Sequence, residues 1–236
     1  NILITGAAGA LGGALAVACA RHGGRPILLD RKLRDLEKTC DAVEATGGPA
    51  PGYCQLDLLK AGPSEFQELV DSLVDSYGGI DGLVHCASRF QGLQPLDQVA
   101  GDTWLSIIQV NLNAAWLLSV TCLATLRERR GDLLFMVNKE PGRGEAYWGP
   151  YGISQAALGS LARMFAEELE GSGCRVHAVD PGPLRSALRA SAYHAEDPGS
   201  LPDPEQAAEI LAEWLLEKPA GEGASAPPRF PSSGGE

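Results

Sequence analysis

The residues with the clearest chemical meaning open the chain. Thr5-Gly6-Ala7-Ala8-Gly9-Ala10-Leu11-Gly12 lies between a short apolar run, Asn1–Thr5, and a helical pattern reaching about Arg21. A dinucleotide pyrophosphate needs backbone N–H groups at a helix N-terminus, with no side chain in the way. The spacing predicts Gly6 for the tight turn, Gly9 for close approach of the pyrophosphate, and Gly12 or Gly13 for close helix packing. Gly6, Ala8, Gly9, Ala10, Leu11 and Gly12 thus form a candidate phosphate cradle, whose position straight after an apolar strand makes it more than a glycine-rich turn. Asp30 ends the second apolar run, 18 residues past Gly12. A carboxylate there accepts hydrogen bonds from the 2′-OH of an adenosine ribose and repels a 2′-phosphate, so NAD is favoured over NADP. Arg31 and Arg34 follow and can pair with a phosphate. The plainer reading of Asp30 is a cap on the next helix.

These residues need a scaffold, and the pattern supplies one. Apolar runs at Pro26–Asp30, Gly52–Leu56, Ile80–Cys86, Asp132–Val137 and Arg175–Val179 read as further strands. Between them lie helical periodicities: Leu33, Leu36, Cys40 and Val43; Phe66 to Val74; a long stretch over 103–129; and Tyr151–Glu170. Ala207–Leu216 reads as a last amphipathic helix. Alternating short strands and helices imply βαβ units with right-handed crossovers. The predicted fold is α/β, a single Rossmann-type doubly wound parallel sheet with helices on both faces, over residues 1–218. Residues 184–204 lack periodicity and read as a substrate-side loop; 219–236 read as a flexible polar tail.

The bulk properties narrow the function. The 236 residues suit one domain, and the net charge of −11 argues against nucleic acid and an anionic membrane surface. No apolar run reaches the roughly 18 residues of a membrane span, and the expected location is the cytoplasm. Six scattered cysteines without a C-x-x-C pair predict reduced packing thiols and no metal site.

With these elements in order, the chain resembles the short-chain dehydrogenases/reductases of the classical type. The turn is similar to their T-G-x-x-x-G-x-G motif, with Ala10 for the middle glycine. Asp57 looks like the adenine-contacting acid. His85-Cys86-Ala87-Ser88 stands in place of N-N-A-G, which puts Ala87 beside the cofactor. Pro181-Gly182 followed by Ser186 is similar to the nicotinamide-facing P-G-x-x-x-T segment. Asn111 and Tyr151 match two members of the catalytic tetrad. Ala146–Tyr151 and Leu184–Tyr193 look most like the bacterial YciK-type subgroup. The resemblance implies a nicotinamide dinucleotide, an unidentified small carbonyl or alcohol as substrate, and a homodimer or homotetramer built on the two long helices.

The same resemblance exposes two departures. The family's serine, 13 residues before the tyrosine, is Asn138; its lysine, four after, is Gln155. In the family the tyrosine passes the proton to or from the substrate oxygen, the lysine lowers its pKa and holds the nicotinamide ribose, the serine polarises the carbonyl and the asparagine steadies a water relay. An unperturbed tyrosine is only about 0.1% phenolate at neutral pH. A cation some 4 Å away at an effective dielectric near 20 supplies roughly 4 kcal/mol, about three pKa units, which Gln155 cannot. Gln155 can still hydrogen-bond a ribose hydroxyl, and the Asn138 amide can donate to a carbonyl oxygen. A neutral tyrosine still donates a proton, so carbonyl reduction survives better than alcohol oxidation, which should lose ~10²–10⁴-fold. The alternative is a dinucleotide-binding sensor or scaffold of the same fold with little or no turnover. Strand alternation points Lys139 away from the face of Asn138, so neither it nor Arg143 is an expected substitute cation. His85 and His177 read as structural, Cys86 as a packing residue, and Tyr147 and Trp148 as possible pocket walls.

Overall fold

The computed structural model describes residues 1–217 and 226–230. Six strands form one parallel sheet: β1 (Ile2–Thr5), β2 (Pro26–Asp30), β3 (Gly52–Gln55), β4 (Gly82–His85), β5 (Asp132–Met136) and β6 (Arg175–Val179). Their order is β3-β2-β1-β4-β5-β6. In-register pairs such as Thr5 with Leu29 and with His85 bring the carboxyl ends of β1, β2 and β4 level. The order reverses between β1 and β4, so their loops diverge there and leave a crevice, the usual ligand position in an open α/β sheet.

The strands are continuous apolar runs because both faces are covered. Alternation sends Leu3, Leu29, Leu83 and Phe135 to one face, under α3 (Pro63–Tyr77), α5 (Ala114–Arg129) and α7 (Gly149–Glu168). Ile4, Leu28, Val84 and Leu134 face the other side, under α1 (Ala10–Arg21), α2 (Leu33–Glu44) and α9 (Pro204–Leu216).

Three expectations change. The long helix is not uniform: α4 (Gly101–Ile108) runs through a π-helical turn, Gln109–Asn113, into α5. The continuous stretch Gly101–Arg129 is long and apolar enough to cross a membrane by length and composition, although no single run of its sequence is uninterrupted. Leu118, Cys122 and Leu126 instead bury it against the sheet. The aperiodic segment 184–204 is not all loop, since it contains α8 (Ala187–Ala192), capped by the Ser186 hydroxyl, which accepts from the Arg189 N–H at 3.1 Å. Most of the expected tail, 219–225 and 231–236, lies outside the described residues. Of the rest, Ala226 accepts a hydrogen bond from the Trp214 indole at 2.8 Å.

Candidate functional site

The loops after all six strands, β1 to β6, contribute to the lining of a cleft of about 740 Å³. Local sequence shapes its floor. Gly6 has φ +67°, and a Cβ on it would stand 2.7 Å from the Ala87 backbone. A Cβ on Gly12 would stand 2.4 Å from the Gly6 carbonyl. The turn therefore closes only with glycine at both positions. Gly9 precedes α1 with no side-chain cap, so the first-turn N–H groups at Ala10, Leu11 and Gly12 have no intrahelical acceptor. They border the cleft and suit an anion.

Of the residues named from sequence, Gly6, Gly9, Ala10, Leu11, Gly12, Asp30, Arg31, Asp57, Ala87, Asn138, Tyr151, Gln155, Pro181, Gly182 and Ser186 all line this cleft. Ala8 does not: its N–H turns to the Asp30 carboxylate, Oδ2, at 3.3 Å. The other oxygen of Asp30 accepts the N–H groups of Arg31 and Lys32 at 2.8 and 3.3 Å. Asp30 thus braces both the phosphate turn and its own loop while still bordering the cleft. It is not the N-cap of α2, which is Lys32. Asp57 likewise accepts from the Leu59 N–H at 3.1 Å.

Asn111 also lies behind the cleft wall. The π-helical turn buries it and aims its amide at the β4 loop. Oδ1 accepts the Arg89 N–H at 2.7 Å, and Nδ2 donates to the Arg89 carbonyl and to the Ser154 hydroxyl, each at 3.0 Å. Ser154 in turn donates to the Tyr151 carbonyl at 2.7 Å. The side chain that the resemblance gives to a water relay ties the β4 loop to the first turn of α7.

Tyr151 lines the cleft and is only 4% exposed. Phe90 and Trp148 pack on it, with ring centroids 5.1 and 5.5 Å away. Burial pushes its phenol up to about 12, opposed by hydrogen bonding from the Asn138 and Ser88 side chains and reinforced by the negative charge of Asp180. This is the reverse of what a base requires. Gln155 is buried, and its Oε1 accepts the Asn138 N–H at 2.9 Å. Its Nε2 has no hydrogen-bond partner among the described residues and is the part left for a ligand.

Neither neighbouring cation fills the charge gap. β5 ends at Met136 and Lys139 opens a short helix, α6 (Lys139–Gly142), so strand alternation does not set its direction; Lys139 and Arg143 border a groove between α7 and β6, and the Lys139 N–H donates to Asp180 at 2.9 Å. Tyr147 does not wall the pocket as anticipated. It has φ +72° and is 57% exposed, and its carbonyl accepts from the Gln94 N–H at 3.0 Å. Trp148 does not line the cleft either; it is buried and packs behind Tyr151. His85 is buried against Ser119 at 2.9 Å and stacked on Phe135, and Cys86 is a half-buried thiol at the cleft, pushed up to about 12 by desolvation. No metal-binding group of histidine, cysteine or carboxylate side chains exists among the described residues.

Two site residues escaped the sequence reading. Ser88, where the family carries glycine, lines the same cleft as Tyr151; its signal was the one hydroxyl in His85–Ser88. Asp180, between β6 and Pro181, anchors the loop by accepting the Gly182 N–H at 2.9 Å. A carboxylate just before the proline-glycine pair was the available clue.

Comparison with known proteins agrees with this architecture. The family model described as short chain dehydrogenase matches residues 1–197. The uncharacterized oxidoreductase YciK of Escherichia coli K12 is 31% identical over 216 residues, 91% of this chain and 85% of its own. A short chain dehydrogenase from Shigella flexneri 2a complexed with NADP superposes with a TM-score of 0.87 at 31% identity, covering 92% of this chain and 90% of that one. One from Escherichia coli CFT073 complexed with NADPH gives 0.87 at 32% identity, with the same two coverages. The chain belongs to the short chain dehydrogenase family and shares its oxidoreductase, nicotinamide-dinucleotide-binding fold.

Proposed function

We propose that the protein is an NAD(P)-dependent oxidoreductase that reduces a small carbonyl compound, with a catalytic centre altered at Asn138 and Gln155. The observation that carries this reading is that the glycine turn and the Tyr151 hydroxyl open on one cleft. The cradle fits a pyrophosphate: glycine is obligatory at positions 6 and 12, and the α1 N-terminus is uncapped. The cleft ends of Asp30 and Asp57 suit the adenosine, and Ala87, Pro181, Gly182, Ser186 and the Gln155 amide suit the nicotinamide half. A bound dihydronicotinamide supplies hydride. Tyr151 donates the proton to the carbonyl oxygen, and the Asn138 amide hydrogen-bonds that oxygen. Asn111 holds the β4 loop and α7 in register for this. A phenol raised to about 12 remains a proton donor at every ordinary pH and a poor base, which makes reduction the favoured direction.

NADP(H) is at least as well supported as NAD(H). Asp30 opposes a 2′-phosphate, whereas Arg31 beside it can pair with one, and two structural neighbours were complexed with NADP and NADPH. Titration with NADH and NADPH, followed by a carbonyl panel with the tighter cofactor, tests the whole reading. Reduction of a panel member supports it. Binding without turnover favours the second reading, a dinucleotide sensor or scaffold, to which the lysine-free surroundings of Tyr151 point. Absence of binding overturns both.

The long helices expose Leu105, Trp116, Ile153 and Met164, up to 67%. Apolar side chains so placed on α4, α5 and α7 support a homodimer or homotetramer through these helices, to be checked by light scattering. Six unpaired thiols suit the cytoplasm.

A further inference from the structure

We propose that the substrate is an oxo acid, a carbonyl compound that also carries a carboxylate, and that Arg89 binds that carboxylate. The inference rests on the proposed carbonyl reduction and names the chemical class of its substrate.

Arg31, Arg89 and Arg189 all border the cleft, but their surroundings differ. Arg189 is already satisfied: two hydrogen bonds of 2.7 Å join it to Glu196, and it lies 3.8 Å from the centre of the Tyr193 ring. Arg31 is exposed and follows Asp30 at the end of β2. Arg89 is half-buried, and its guanidinium makes no hydrogen bond, ion pair or ring contact among the described residues. Asp and Glu outnumber Lys and Arg by 30 to 19 in the chain, so this guanidinium does not lack a partner for want of carboxylates. Five N–H donors drawn partly out of water call for an acceptor. The acceptor that matches their planar fork is a carboxylate, which takes two parallel hydrogen bonds.

The backbone sets Arg89 toward Tyr151 and away from the phosphate turn. The β4 loop begins against that turn, where a Cβ on Gly6 would stand 2.7 Å from the Ala87 backbone. It then runs to Phe90, whose ring centroid lies 5.1 Å from that of Tyr151. Arg89 directly precedes Phe90, and Asn111 holds its N–H and C=O at 2.7 and 3.0 Å while donating to Ser154 of α7. Glu140 and Asp180 also border the cleft, but neither pairs with Arg89. Asp180 instead accepts the N–H groups of Lys139 and Gly182, each at 2.9 Å. Phe90 and Leu188 give this part of the cleft an apolar wall. An oxo acid laid along it meets Tyr151 with its carbonyl and Arg89 with its carboxylate. Binding remote from the reacting carbon then orients the carbonyl at the proton donor.

The test compares two acids, 4-formylbenzoate and levulinate, each with its methyl ester, using whichever of NADH and NADPH binds more tightly. Wild type should reduce the acids with KM roughly 10–100-fold below that of the esters, the range expected of a hydrogen-bonded charge pair. Arg89→Ala should raise the KM of the acids to that of the esters and leave the ester kinetics and cofactor affinity unchanged. Arg89→Lys, which keeps the charge without the fork, should fall between. Should Arg89→Ala fail to fold, Arg89→Gln takes its place and is read in the same way. Equal KM for acids and esters in wild type overturns the proposal while leaving carbonyl reduction intact. Undiminished preference for the acids in Arg89→Ala also overturns it, and a loss of cofactor affinity there would assign Arg89 to the dinucleotide instead. If no member of either pair is reduced, the cofactor-bound protein is titrated with 4-formylbenzoate by calorimetry. Binding that Arg89→Ala abolishes sustains the carboxylate site and defeats the proposed reduction; absence of binding to wild type overturns the site.

Discussion

The side-chain oxygen of Gln155 accepts the backbone N–H of Asn138 at 2.9 Å, joining the two positions at which the chain departs from its family. Gln155 is therefore part of the support of residue 138 as well as a missing charge. Gln155→Lys would bring a cation beside Tyr151 and remove this acceptor. The expected outcome is a gain of about tenfold or more in NAD(P)-linked alcohol oxidation, since a nearby cation lowers the phenol. The unsatisfied N–H should cost roughly 1–3 kcal/mol in urea unfolding. No gain in oxidation by a folded Gln155→Lys protein would show that the lost charge is not what limits the base.

Asn111 closes three hydrogen bonds between the β4 loop and α7, at 2.7 to 3.0 Å. Asn111→Ala should cost about 2 kcal/mol, because it also leaves the part-buried Arg89 backbone groups without their partner. It should weaken dinucleotide binding as well, because Ala87 and Ser88 lose one of their two anchors. Calorimetric titration of the variant with NADH and NADPH checks this; unchanged affinity would confine Asn111 to stability.

The sheet was legible in the sequence for a physical reason. A strand covered on both faces is a plain apolar run, and Pro26–Asp30 and Arg175–Val179 were bounded to the residue. Most cleft residues were legible too, since they follow strand ends directly. Three features were not. The π-helical turn at Gln109–Asn113 follows from one shifted hydrogen bond and leaves no trace in the period. Helix α8 is stabilised by tertiary packing, with Leu188, Ala192 and Tyr193 against Trp148 and Tyr151. The β4 loop is held at Ala87 by Thr5 and at Arg89 by Asn111, partners 82 and 22 positions away in the numbering and invisible to local pattern.

His85 gives the fold an acid sensitivity. Burial lowers its imidazole to about 3, whereas the unfolded chain binds the proton near ~6.5. A depressed folded value means that the contribution is fully present above about pH 6.5 and is lost as pH falls toward about 3. Stability should decline by about 1.4 kcal/mol per pH unit in this window from His85 alone. His85→Gln, which can still hydrogen-bond Ser119, should flatten the curve between pH 6.5 and 4.5 relative to wild type in urea unfolding. Parallel curves would assign the acid sensitivity to the carboxylates.

Access to Tyr151 passes beneath α8. Arg189 meets Glu196 through two hydrogen bonds of 2.7 Å and stacks on the Tyr193 ring at 3.8 Å. Leu188 and Tyr193 pack against the aromatic cluster around Tyr151. The ion pair is half-buried and closes a span of only seven residues within this segment, so its effect should be local. Glu196→Ala should leave the thermal midpoint nearly unchanged and speed amide exchange over residues 187–193. Because a looser cover binds substrate less well and leaves the phenol wetter, KM for a carbonyl substrate should rise about two- to tenfold, with kcat less affected. Unchanged exchange over 187–193 would show that apolar packing alone holds α8 down, and would leave Arg189 free to meet an anionic substrate.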